Sequence, residues 1–108
     1  MIAVAVLRTW AGKSTFSYTG SVKNGTKITY GNYHTTKVNG KQYNDLLDHF
    51  QGKTVPAGTS RTDPPKGSVG EWLQANVTKV AISSYVCPIL ITEGYAEKVG
   101  SQTRFFER

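Results

Sequence analysis

The chain is poor in cysteine, in long apolar runs and, over its first third, in acid. A single cysteine, Cys87, excludes an internal disulfide and a multi-cysteine zinc site. No stretch approaches the roughly 18 consecutive apolar residues that would read as a membrane-spanning helix. The apolar start, Ile2 to Leu7, has neither the charged lead nor the length of a secretory signal. These absences fit a soluble, cytoplasmic protein with no membrane partner. The 7 carboxylates are scattered without the clustering that a metal-dependent nuclease needs, so neither a metal nor a cofactor is expected.

What is present suits one small core. The 108 residues are 38% apolar and 11% aromatic, which matches one domain over 1–108 and argues against wholesale disorder. The charge is lopsided. The chain holds 13 Lys+Arg against 7 Asp+Glu, for a net charge of +6. Residues 1–41 contain Arg8, Lys13, Lys23, Lys27, Lys37 and Lys41 but no acid, so the whole excess lies there. Such a segment is the electrostatic footprint of a surface for phosphate or for an acidic protein. The plainer reading is a solvated β-face that uses lysine to block edge pairing.

Residues 1–38 read as a basic antiparallel sheet. Residues 2–9 form a short Val- and Ala-rich strand, 11–13 a turn, and 15–22 a loosely alternating strand. Asn24-Gly25 marks a tight hairpin, and a third strand follows over 27–38, with Gly31 as a bulge or bend. The period then changes. Tyr43, Leu46, Leu47 and Phe50 stand at i, i+3, i+4 and i+7, which predicts a helix over 40–51, with Asn39 as its cap and Gly52 as its stop. Residues 54–58 read as a short strand, and 60–67 as a loop stiffened by Pro64-Pro65. Ser68 followed by Glu71 is a capping box that opens a helix over 69–76. Thr78 caps a third helix over 78–93. Pro88 either kinks it or stops it near Val86 and leaves residues 89–91 as strand; the run up to Gly94 favours the helix. Residues 95–98 and 103–107 pair as a closing hairpin. The fold class is therefore α+β: an N-terminal antiparallel sheet, a three-helix unit over 39–108, and a C-terminal β-hairpin.

Tyr43–Phe50, Val55, Ser68–Asn76 and Thr78–Glu93 give helix, strand, helix, helix in that order. Leu90-x-x-x-Gly94-Tyr95 closes the last helix, and residues 98–104 form a loop between strands. This order resembles the winged helix-turn-helix superfamily over residues 40–108, about two thirds of the chain. The resemblance implies duplex DNA as partner, with the third helix in the major groove and Thr78, Lys79, Ser83 and Ser84 facing bases and phosphates. It also implies a wing that brings Lys98, Gln102 and Arg104 to the backbone or minor groove. No arginine lies on the third helix, so strong base specificity from it is not expected.

Other contact residues follow from charge. Lys23, Lys27 and Lys37 interleave with Tyr18, Tyr30 and Tyr33, a mixture that suits single-stranded nucleic acid; the alternative is that the tyrosines pack as core. Arg61 and Lys66 in the 59–67 loop are contacts or parts of a connector. Three functions compete: a small basic DNA-binding protein, a protein-binding inhibitor of mobile-element type that occupies an acidic partner surface, and a binder of RNA or single strands.

Catalytic readings are weaker. Gly12-Lys13-Ser14-Thr15 echoes the end of a phosphate-binding loop, but Leu7 stands where the first glycine belongs and a strand follows. Asp45 and His49 share a helical face but have no third ligand. Cys87 sits in an apolar run, where a thiol is packing rather than nucleophile. No enzyme is expected.

Overall fold

The computed structural model describes residues 4–108, so the first two residues of the expected first strand lie outside the described residues. The protein is α+β, with a four-stranded antiparallel sheet, three helices and a C-terminal hairpin that belongs to a second, three-stranded sheet.

Strands β1 (Ala5–Arg8), β2 (Thr15–Ser21), β3 (Gly25–Tyr30) and β4 (His34–Asn39) pair in chain order. Side chains alternate across such a sheet. Phe16, Tyr18, Ile28 and Val38 are buried on one face. The pairings Ser17↔Thr29↔Thr35 and Thr19↔Lys27↔Lys37 form polar rows on the other. The expected third strand over 27–38 is two strands. Gly31 and Tyr33 take φ of 56° and 64°, and the chain doubles back so that Tyr30 pairs with His34. The Thr- and Tyr-rich flanks fit strand equally well on either side of that turn, which is why the composition hid the break. The Asn24-Gly25 hairpin stands where it is expected, with Gly25 at φ 105°.

Helix α1 (Gly40–Phe50) opens with a complete capping box. Asn39 Oδ1 accepts from the Gln42 amide at 2.7 Å, and Gln42 Oε1 accepts from the Asn39 amide at 2.9 Å. Its stripe of Tyr43, Leu46, Leu47 and Phe50 is buried. Strand β5 (Thr54–Pro56) follows, and helix α2 (Val69–Asn76) starts at Ser68, whose Oγ accepts from the Glu71 amide at 3.1 Å.

Helix α3 (Ser83–Thr92) starts later than expected. Residues 78–82 form a turn, because Thr78 Oγ1 accepts from the Val80 amide at 3.3 Å and the Ile82 amide turns back to the Val80 carbonyl at 2.9 Å. The helix runs through Pro88 rather than stopping near Val86. Proline has no N–H to give the Ser84 carbonyl. The Trp10 amide donates to that oxygen instead, at 2.9 Å, and so ties the β1–β2 turn to α3. The helix closes at Gly94, φ 86°, with the Tyr95 amide on the Leu90 carbonyl at 2.9 Å. Strands β6 (Ala96–Val99) and β7 (Gln102–Phe105) form the hairpin, and β7 also pairs with β5, giving the order β5-β7-β6.

One continuous buried cluster joins the sheet to the helices, from Phe16 and Ile28 through Leu46 and Phe50 to Val86 and Leu90. The seam between sheet and α3 is closed by more than apolar contact. Tyr85 lies stacked on Tyr30 at 4.6 Å between ring centroids and meets Phe16 edge-on at 5.1 Å. The Glu93 carboxylate accepts from the Tyr18 hydroxyl at 2.7 Å and from the Val22 amide at 3.0 Å. Along α3 only Thr92 is exposed.

Candidate functional site

Alternate turns of a meander fall at the same end of its sheet. The β1–β2 and β3–β4 turns therefore lie side by side, and a cleft of about 610 Å³ opens there. Arg8, Lys13, Ser14 and Thr15 line it from the first turn, Tyr30, Gly31 and His34 from the second. Arg61 and Tyr85 complete it from the 59–67 loop and α3. A second hollow of about 360 Å³ shares Tyr30, His34, Arg61 and Tyr85 and adds Lys79, Val80 and Ala81. Four cations thus line the two adjoining spaces, and among the described residues no carboxylate lines either. Clefts of one charge sign concentrate oppositely charged ligands.

Local structure holds these groups in place. The Arg8 guanidinium donates to the Gly12 carbonyl at 3.2 Å, which keeps it over its own turn. Gln74 on α2 donates to the Arg61 carbonyl at 3.3 Å, and Ser60 Oγ accepts from the Asp63 amide at 3.0 Å, so the loop that carries Arg61 is fixed at two points. Burial raises the Tyr85 phenol above its ordinary pKa, with Tyr30 adding to the rise and the Arg61 charge opposing it. Tyr85 therefore keeps its proton at neutral pH and presents a hydroxyl donor to the cleft.

The residues expected to contact a partner are dispersed. Arg61 and Lys79 come together in the second hollow, beside the cleft. Thr78 and Lys79 lie in the turn before α3, not on it, and the Thr78 oxygen is occupied by the Val80 amide. Ser83 is fully buried and donates to the Gly58 carbonyl at 2.8 Å, so it faces no groove. Ser84 is half-buried beneath the Trp10 contact. Ser83 belongs to the junction with the 57–58 segment and Ser84 to the seam with the β1–β2 turn. On the hairpin, Lys98 donates to the Trp10 carbonyl at 2.9 Å with its ammonium 4.5 Å from the Trp10 ring centre, and Arg104 pairs with Glu97 at 2.7 Å. Gln102 is exposed. Lys66 is exposed and lies outside the cleft. Lys23 sits at the opposite end of the sheet. Lys27 and Lys37 stand directly opposite each other on the outer face, where like charges repel. Tyr18 is core, Tyr30 turns inward against Tyr85, and Tyr33 projects into solvent with 91% of its surface free.

Compared with known proteins, the chain matches no family model, no curated protein and no solved structure.

The residues considered for chemistry are engaged otherwise. Cys87 is buried, and burial pushes its thiol up to about 12, so it stays protonated at neutral pH. Asp45 pairs with Lys41 at 2.9 Å and Asp48 with Arg108 at 2.7 Å, while His49 lies against the Phe50 and Trp72 rings. Among the described residues no three His, Cys, Asp or Glu side chains cluster as metal ligands, and no helix is long and apolar enough to cross a membrane. Gly12-Lys13-Ser14-Thr15 leads into strand β2, so no helix N-terminus stands behind it. The same Lys13, Ser14 and Thr15 nevertheless line the cleft. With Arg8, His34 and Tyr85 they are the cleft residues that sequence reasoning left out of the site. The signal for all but Tyr85 was the acid-free segment taken with the rule that alternate hairpin turns share one end; nothing local marked Tyr85.

Proposed function

We propose that the protein binds DNA, duplex DNA first, by contacts to its phosphates, and that the basic cleft is the anchor. The observation that carries this reading is the convergence of Arg8, Lys13 and Arg61 on one cleft, with Lys79 in the adjoining hollow that shares Arg61, and no carboxylate lining either among the described residues. Phosphate contacts supply affinity and register without reading sequence. The order helix, strand, helix, helix, hairpin, with β5 beside β7, supports a scaffold of winged-helix kind. The burial of α3 under the N-terminal sheet argues against base reading from that helix, so binding tolerates many sequences.

The test is affinity for a random duplex, and for a single strand of equal length, at about 50 and 200 mM salt. Affinity falls steeply with salt if several phosphates are neutralised. Arg61→Ala and Lys79→Ala each lower the slope of log affinity against log salt by about 1, whereas Lys66→Ala, outside the cleft, leaves it unchanged. If neither duplex nor single strand binds, the positive surface serves an acidic protein instead.

A further inference from the structure

The cleft carries more than backbone tracking requires. Each internal phosphate of a nucleic-acid strand has one negative charge, and a groove that follows such a strand spreads its cations along it. Here Arg8, Lys13 and Arg61 gather round a single space of about 610 Å³, beside the Ser14 and Thr15 hydroxyls. A terminal phosphate monoester matches that density, with close to two charges at neutral pH and three acceptor oxygens. Its size class also fits, because pockets for single small ligands run about 300–1,000 Å³.

The two spaces differ in character in a way that matches one nucleotide. The lobe with Arg8, Lys13, Ser14 and Thr15 is cationic and rich in hydroxyls. The lobe beyond Tyr30 and Tyr85 is walled by Val80 and Ala81, with Lys79 at its side. The tyrosine pair divides the lobes, and its rings are already stacked 4.6 Å apart, so it is a preformed aromatic wall that needs no ordering on binding. A phosphate held in the first lobe puts the attached base within reach of the second.

We propose that the cleft holds the end of a nucleic-acid strand that carries a phosphate monoester, with Arg8, Lys13 and Arg61 on the phosphate and Tyr30 and Tyr85 against the unpaired terminal base. This deepens the DNA-binding reading and rests on it. It adds a preference for phosphorylated ends over internal backbone, and the chemistry is shared by 5′- and 3′-phosphates.

The experiment compares three short duplexes of one sequence with a one-base overhang: 5′-phosphorylated, 3′-phosphorylated, and with hydroxyls at both ends. Binding to the full-length protein is measured at fixed salt. The expected result is at least about tenfold tighter binding of one phosphorylated form than of the hydroxyl form, the scale of added charge-assisted hydrogen bonds; which form it is identifies the source of the phosphate. Lys13→Ala, an exposed turn residue, removes that preference, whereas Lys27→Ala on the outer sheet face leaves the ratio intact. Equal binding of all three duplexes overturns this inference and leaves the DNA-binding reading standing. No binding of any duplex overturns both. A phosphate preference that survives Lys13→Ala and Arg61→Ala together overturns the assignment to this cleft.

Discussion

Tyr18 shows how one hydroxyl serves the fold. Burial, then the hydrogen bond to Glu93 and the charge of that carboxylate, push its phenol from 10.0 up to about 12. In the unfolded chain it ionises near 10. Below pH 10 both states are protonated and the stabilisation is complete. Between pH 10 and about 12 only the unfolded state releases its proton, so stability falls as pH rises through that window. Tyr43, raised further by burial although its hydrogen bond to Thr26 opposes the rise, and Cys87 act in the same direction. We expect Tyr18→Phe to show a shallower loss of Tm across pH 10–12 than the parent, and to lose about 1 kcal/mol at neutral pH as Glu93 gives up a donor. Equal slopes for the two proteins would remove Tyr18 from the alkaline transition.

The same scale explains Tyr33. A non-glycine residue at φ 64° is strained, and this one also exposes its ring to water. Tyr33→Gly relieves the strain, and thermal melting is expected to show a gain of roughly 1 kcal/mol.

Among the elements, the junction of α2 with the 57–58 segment is the tightest. Gly58 and Gly70 approach so closely that a Cβ on Gly70 would overlap the Gly58 carbonyl oxygen, which already accepts from Ser83 Oγ. The Gly70 amide also donates to the Ala57 carbonyl at 2.9 Å. Gly70→Ala is expected to cost about 1–3 kcal/mol in denaturant unfolding, a loss seen as a lower midpoint. Elements with strong local signals were legible in the sequence. Helix α1 follows from its apolar stripe and the Asn39 cap, α2 from its buried Val69 and Leu73 and the Ser68 cap (the Glu71 carboxylate reaches the Gly67 amide rather than closing a box on Ser68), and the closing hairpin falls within a residue or two of its expected place. The start of α3 was not legible, because Thr78 serves as well to close a turn on Val80 as to cap a helix. The β3–β4 turn was hidden for a related reason: Gly31 inside a β-rich run reads as a bulge until the pairing of Tyr30 with His34 is known. The run up to Gly94 favours the helix through Pro88, but what satisfies the Ser84 carbonyl there was not legible, since its donor comes from Trp10, far away in the chain.

At the scale of the whole molecule, the sheet and the helical unit are one body of packing. The candidate cleft exists only where they meet, which is why the sequence marked the basic segment, Arg61 and Lys79 separately but not their meeting, nor Tyr85. A chain of residues 40–108 alone would bare the sheet-facing side of α3, including Tyr85 and the polar atoms of Ser84 and Glu93. We expect that fragment to lack a cooperative thermal transition and to bind dyes that report exposed apolar surface. A fragment that melts cooperatively would show that the sheet is an independent addition.

The clasp between Tyr18 and Glu93 spans 75 residues of sequence. A ribosome adding about 5–20 residues per second needs roughly 4–15 s to cover that distance. Through that interval Phe16, Tyr18 and Tyr30, on the part of the sheet that faces α3, lack the Tyr85 and Glu93 contacts that cover them in the finished fold. During those seconds neighbouring nascent chains carry only positive charge over their first 41 residues and repel one another. The acid-free segment thus gives unfinished chains a shared positive charge over the sheet for as long as that clasp is open.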